Sequence, residues 1–192
     1  MKRFTFGFYI FLSVSILLEC FWLIQQKEWA SLGMSLLTLI FLALPFLIEK
    51  RFKLEFPRGF LSVFLLFLYA AIFLGTANHF YVRFWWWDKM LHGVSGVIFA
   101  NLGFLIGKQL NPGILSPAKL SRIFISLYSF CFSVASGAVW EIYEYTMDQT
   151  FGFLYQGVGI YDTMTDIIAD TLGALAFGIY LYFKGTKVIP KQ

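Results

Sequence analysis

"YDTMTDIIADTLGALAFGIYLYF", Tyr161 to Phe183, reads as a membrane-spanning helix, because its second half is almost unbroken apolar sequence. Its first half carries Asp162, Asp166 and Asp170 at four-residue intervals, a spacing that stacks side chains on one helical face. The row descends about 12 Å at about 1.5 Å per residue. An ionisable group at mid-span costs on the order of 2.5 to 3.5 kcal/mol on insertion scales, so the row calls for partners or a cation.

The rest of the chain fits a spanning segment. Its 192 residues are 59% hydrophobic and 21% aromatic with only 14% charged, far from the mix of a water-soluble domain. A bilayer core of about 30 Å needs roughly 20 apolar residues per helix. Six stretches qualify: Phe4–Ile24, Ala30–Ile48, Gly59–Ala77, Met90–Gly107, Ile123–Trp140 and Ile167–Phe183, the last three extendable at their polar ends. No ten-residue alternating pattern recurs, which disfavours a barrel and leaves an all-α bundle of about six transmembrane helices. One transmembrane helical domain over residues 1–192 is expected, with no internal repeat and one Pro/Gly turn, "NPGILSPAKLSR" at Asn111–Arg122.

The basic start, Lys2 and Arg3, followed by an apolar run ending "LLEC", resembles a signal peptide. Glu19 stands where a lipoprotein signal has a small residue, and the run is long, so the segment reads as a retained first helix. With six alternating spans, Lys2, Arg3, Lys50, Arg51, Lys53, Arg58, Lys108, Lys119, Arg122, Lys184, Lys187 and Lys191 share one side, twelve of 15 basic residues. Short loops rich in lysine and arginine stay cytoplasmic, so both termini are expected in the cytoplasm of a bacterial plasma (inner) membrane protein. Trp22, Trp29, Trp85, Trp86, Trp87 and Trp140 fall near the opposite ends, as an interfacial belt. The net charge of +4 then reports topology, not nucleic-acid binding. Cys20 and Cys131 lie within spans and read as no disulfide framework.

The buried charges keep one side. The fourth span begins "WWWDKMLHGVSG", with Asp88 and His92 four apart; the fifth ends "GAVWEIYEYTMD", with Glu141, Glu144 and Asp148 in a stripe; the sixth starts with the aspartate row. Glu19, Asn78 and His79 lie toward the same side. Helices of opposite chain direction thus carry their acids at one depth, the outer half, as a shared polar cavity requires. Asp162 and Asp88 read equally well as N-caps, Asp148 as a solvated loop residue and His79 as an interfacial ring. Capping does not account for Asp170, Glu141, Glu144 or His92.

With Lys89 and Arg83 the only basic residues near those acids, the cluster is anionic unless protons or a cation neutralise it. Carboxylates with one imidazole suit Mg²⁺, Mn²⁺ or Ca²⁺, with Zn²⁺ or Fe²⁺ admitted by the histidine. The expected metal ligands are His92, Glu141, Glu144, Asp166 and Asp170. Small residues, Gly93, Gly96, Ala100, Gly103 and Gly107 in the fourth span and Ser129, Ser133, Ser136 and Gly137 in the fifth, read as helix-packing positions. Two histidines are too few for a histidine-box oxygenase, Glu141 and Glu144 make no E-x-x-H, and G-x-S-x-G, H-E-x-x-H and phosphate-loop motifs are absent.

"LPFLIEKRF", "WDKMLHGVSG", "WEIYEYTMD" and "DTMTDIIADTLGA" together resemble the YjdF-like family of bacterial inner-membrane proteins. At Asp88, Lys89, His92, Glu141, Asp166 and Gly173 the chain is also similar to VanZ-like membrane proteins, a resemblance that implies a role at the cell envelope. Two functions stay open. One is a metal-dependent hydrolase or transferase acting on an envelope lipid or lipid-linked precursor, with Asp88 or Glu141 as general base. The other is a cation- or proton-binding transporter, channel subunit or sensor. Membrane lipids are the expected partners in both.

Overall fold

The computed structural model describes residues 3–110, 120–157 and 159–184, and among these every regular element is helical. Six helices are long and apolar enough to cross a membrane: Phe4–Gln26, Trp29–Phe52, Arg58–Ala77, Trp87–Leu110, Arg122–Phe151 and Ile160–Lys184. Each contains one of the six expected spans. Residues 111–119 of the expected Pro/Gly turn lie outside the described residues. Large apolar side chains such as Phe11, Leu18, Ile40, Ile142 and Phe183 are exposed along these helices, a surface suited to lipid rather than water.

Chain contacts divide the molecule into two compact units, Met1–Leu91 and His92–Gln192. In the first, α1 (Arg3–Gln26) and α2 (Trp29–Phe52) are joined by Lys27 and Glu28, with Lys27 in the left-handed region at φ 62° to turn the chain sharply. Helix α2 runs through Pro45 and closes at Lys53, also left-handed, whose N–H bonds to Glu49 O. The Glu49 carboxylate accepts the Phe56 N–H at 2.7 Å and so fixes the connection to α3 (Arg58–Leu68). Pro57 precedes α3, a natural start because proline lacks the N–H that a first turn leaves unpaired.

Helix α3 continues as a π-helical stretch, Tyr69–Ala77, and a short α4 (Phe80–Arg83) follows. Leu12, Ile16 and Cys20 of α1 meet Leu42 of α2 and Leu65, Phe73 and Ala77 of the third span in an apolar core. The Glu19 carboxylate takes a side-chain hydrogen bond from Asn78.

The second unit holds α6 (Arg122–Phe151), α7 (Ile160–Lys184) and α5 (Trp87–Leu110) from His92 onward. The division falls inside α5, which is unbroken, so Asp88 in its first turn rides on the same helix as His92. Ser121 caps α6 by accepting the Phe124 N–H at 3.2 Å. The 30-residue α6 spans about 45 Å, longer than the hydrocarbon core, so its end extends beyond it. There Gly152, at φ 71°, ends the helix, and the Asp148 carboxylate accepts the N–H groups of Tyr155 and Gln156 at 2.8 and 2.9 Å. Asp148 therefore shapes the turn into α7, and Gln156 Nε2 ties that turn to Thr163 Oγ1 at 2.8 Å. In this turn burial pushes the Tyr155 phenol up from its ordinary range, with Tyr143, Asp148 and Glu144 adding to the rise.

Glycines set the helix spacing. A methyl group on Gly173 of α7 would collide with Gly93 O of α5, and one on Gly96 with Asp170 O, so these two helices touch backbone to backbone. Ser133 of α6 donates to Gly96 O at 2.8 Å, closing the three helices on one another. Gly103, the first glycine of "GFLIG", faces the Phe132 ring on α6.

Candidate functional site

The contact at Gly93, Gly96 and Gly173 decides what lies beside it. His92 directly precedes Gly93 on α5, and Asp170 lies one turn before Gly173 on α7, so the glycines bring an imidazole against a carboxylate. His92 Nδ1 stands 3.0 Å from Asp170 Oδ2. The other Asp170 oxygen accepts a very short hydrogen bond from Ser95 Oγ, one turn along α5. Gly137 of α6 completes this pocket: a methyl group there would come within 2.6 Å of Asp170 Oδ2.

The opposite ring nitrogen faces different acids. His92 Nε2 lies 3.8 Å from Asp166 Oδ1 and 4.0 Å from Glu141 Oε1. These separations exceed a hydrogen bond, yet suit groups arranged around one shared ion. His92, Glu141, Asp166 and Asp170 are all buried. Asp88, one turn before His92, pairs with Lys89 at 3.2 Å. Asp88, His92 and Asp166 each offer one ligand atom within 4.8 Å of the others, a group able to hold a metal ion.

Two other acids of the rows have contacts of their own. Glu144 Oε1 accepts the Trp140 indole N–H at 2.9 Å, one turn along the exposed side of α6. Asp162 is not the N-cap: α7 begins at Ile160, so Asp162 sits inside the first turn against Gly157. A carboxylate there still gains from the helix dipole. Asp88 likewise falls within the first turn of α5.

Ser95 and Gly137 hold the site without having been singled out for it. Ser95 follows His92 by three residues and so shares its face, which is the signal that could have found it. Gly137 stood in a stripe of small residues whose packing role hid its particular neighbour. Beside the cluster a groove of about 440 Å³ opens between α6 and α7, lined by Ala138, Glu141, Ile142, Tyr145, Gln156, Ile160, Thr163 and Ile167. Glu141 thus faces both the cluster and the groove.

These features define a multi-pass helical membrane protein with a buried acidic and histidine cluster at one end of three helices. Residues 7–187 match the family described as predicted membrane protein (DUF2238), and the chain belongs to that family. The YjdF-like resemblance is consistent with it. The chain is also similar to an uncharacterized protein of Thermotoga maritima, 27% identical over 147 residues, 74% of this chain and 71% of that one. No solved structure matches.

Proposed function

We propose that the cluster binds a divalent cation and that, with it, the protein acts as a hydrolase or transferase on the head group of an envelope lipid or lipid-linked precursor. The observation that carries this reading is the set of carboxylates around His92 Nε2, with Asp166 at 3.8 Å and Glu141 at 4.0 Å. Like charges buried this close repel unless a proton or a cation stands among them. An oxygen-rich set with one imidazole suits Mg²⁺, Mn²⁺, Ca²⁺ or Zn²⁺.

A cation held there supplies a Lewis acid for a phosphoryl or acyl oxygen. In this reading His92, Asp166 and Asp88 hold the ion, and Glu141, on the groove wall, takes the proton from an attacking water. The apolar flank of the groove, Ile142, Ile160 and Ile167, suits a substrate that arrives through the lipid phase. The motif similarity to VanZ-like proteins and the lysine and arginine bias support a bacterial plasma membrane setting with the cluster on the outer side. Away from the cluster most buried side chains described on the three helices are apolar, among them Phe104, Leu105, Ile125, Phe177 and Leu181, with Ser129 and Ser133 as buried hydroxyls and no charged group, a poor lining for ion conduction, which favours this reading over a transporter.

Metal analysis of the purified protein beside Asp166→Asn and His92→Ala variants tests the reading. Near-stoichiometric divalent metal or a rise in melting temperature on adding Mn²⁺ or Zn²⁺, lost in both variants, is the expected result. A wild-type protein that neither retains nor responds to divalent cations would falsify it.

A further inference from the structure

We propose that the groove between α6 and α7 is a binding site for a neutral glycolipid, with an uncharged sugar at the end by the α6–α7 turn and a hydrocarbon chain along the rest. The proposal rests on the reading above only in naming the substrate of that site, since the groove itself is formed without a cation.

The groove is polar at one end and apolar at the other. Gln156 in the turn, Thr163 at the start of α7 and Tyr145 near the end of α6 bring hydrogen-bonding side chains to the end by the turn. Ala138 and Ile142 on α6 and Ile167 on α7 line the part further into the spans. Tyr145 and Ala138 are about 10 Å apart along α6 at about 1.5 Å per residue. An amphiphile in a bilayer has the same order, its head at the surface and its chain below, and α6 is long enough to carry the polar end to the edge of the hydrocarbon core. The volume of about 440 Å³ is in the range of small-molecule sites, about 300–1,000 Å³.

Charge selects among head groups. The residues that line the groove include no lysine or arginine, and the one acid among them is Glu141. An anionic phosphate placed there would face a like charge with no basic side chain to meet it. Tyr145, Gln156 and Thr163 are uncharged, and each both donates and accepts hydrogen bonds, as the hydroxyls of a sugar do. Gln156 is already held in place: its backbone N–H donates to the Asp148 carboxylate at 2.9 Å, and its side-chain amide donates to Thr163 Oγ1 at 2.8 Å. That second contact uses one amide proton and one lone pair, and it leaves the Thr163 hydroxyl proton and the Gln156 carbonyl oxygen uncommitted by it. Side chains ordered in advance lose less freedom when a ligand binds. With the sugar by the turn and the chain along Ile142 and Ile167, the junction between them lies at Glu141, the residue assigned above to take a proton from water.

The test uses the purified protein in lauryldimethylamine oxide, a detergent without sugar, with EDTA present. Monoglucosyl diacylglycerol, diacylglycerol, phosphatidylglycerol and phosphatidylethanolamine are added one at a time, and binding is read by native mass spectrometry and by the rise in melting temperature. The glucosyl lipid is expected to bind most tightly. Gln156→Leu and Thr163→Val are each expected to weaken it about 2- to 10-fold, the worth of one ordinary hydrogen bond, and to leave diacylglycerol binding unchanged. Thr163→Ser, which keeps the hydroxyl, is expected to bind like wild type, and Ala138→Phe, which fills the apolar end, to weaken the glucosyl lipid and diacylglycerol alike.

Diacylglycerol, phosphatidylglycerol or phosphatidylethanolamine binding as tightly as the glucosyl lipid overturns the proposal. So does a preference for glucose that survives both Gln156→Leu and Thr163→Val, because the bond between those residues is then only a structural tie. The two readings fail separately. Glucosyl-lipid binding with the expected pattern in a protein that takes up no Mn²⁺ leaves the groove assignment standing without the cation, and Mn²⁺ uptake in a protein with no preference for glucose does the reverse.

Discussion

In the Met1–Leu91 unit, buried Thr38 donates to Met34 O in its own helix at 2.8 Å, and half-buried Ser15 donates to Leu12 O and meets the Tyr69 hydroxyl of another helix, contacts among neutral groups. In His92–Gln192, beside intrahelical bonds such as that of Ser129 to Ile125 O, contacts between helices gather at a carboxylate: Ser95 and His92 meet Asp170, and Ser133 donates to Gly96 O close by. The first unit shows that this chain packs spanning helices around Leu12, Ile16, Leu42 and Leu65 without a charged interior. The acids of the second unit are therefore not a packing requirement. Burying them costs free energy, which makes a ligand or a reaction the economical reason for them.

The contrast breaks most visibly at the glycines. Gly173→Ala places a methyl group against Gly93 O, backbone that a small rotation does not clear, so destabilisation at or above the top of the usual ~1–3 kcal/mol for overpacking is expected. Gly33→Ala in α2 meets nothing within 4 Å and is expected to gain about 0.5–1 kcal/mol from better helix propensity. Melting temperatures in micelles decide the matter: equal effects at the two sites would end the close α5–α7 approach.

Next in size is a pair in which only one member responds to metal. Leu65 is fully buried in the first core, and Leu65→Ala is expected to cost toward the lower end of ~2–5 kcal/mol, since lipid rather than water is the alternative environment. Its melting temperature should still rise on adding Mn²⁺, by the same increment as wild type. Asp166→Asn should forfeit that increment, which amounts to about 2.7 kcal/mol at a hundredfold excess over the dissociation constant. A Leu65→Ala protein that had also lost the Mn²⁺ response would mean that the response does not come from the acidic cluster alone.

The spans were legible because hydropathy marks them directly, while their ends were not. Hydropathy gives the fifth and sixth as Ile123–Trp140 and Ile167–Phe183, extendable at their polar ends but by an amount it does not fix, and the helices run Arg122–Phe151 and Ile160–Lys184. The acids stopped the apolar runs without stopping the helices. The π-helical turn at Tyr69–Ala77 left no mark in the composition, since a wider hydrogen-bond register needs no special residue. Of the site, the periodic spacing of Asp166 and Asp170 and the position of His92 one turn inside its helix gave the cluster. Spacing could not say which side of the imidazole each acid would face. That depends on helix rotation, which the Gly96 and Gly173 contacts set between α5 and α7.

The smallest effect asks whether interhelical hydroxyls matter where intrahelical ones do not. Thr38→Val removes a bond to Met34 O within α2, a carbonyl that the helix itself already uses, and keeps the shape of the side chain. A change within about 0.5 kcal/mol is expected. Ser133→Ala removes a donor that crosses from α6 to Gly96 O, beside the point where α5 and α7 touch, and nothing in alanine can replace it. Interhelical hydrogen bonds in membranes average about 0.6 kcal/mol and reach about 1.7, and a site this close to the glycine contact belongs in the upper part of that range. The more telling readout is indirect. Ser133 holds α5 at the level of Gly96, so its loss should also loosen the His92–Asp170 distance and broaden the His92 ring signal in NMR spectra of ¹⁵N-histidine-labelled protein, whereas Thr38→Val should leave that signal untouched. A Ser133→Ala protein with an unaltered His92 signal would show that the glycine contact alone sets the height of α5 against α7.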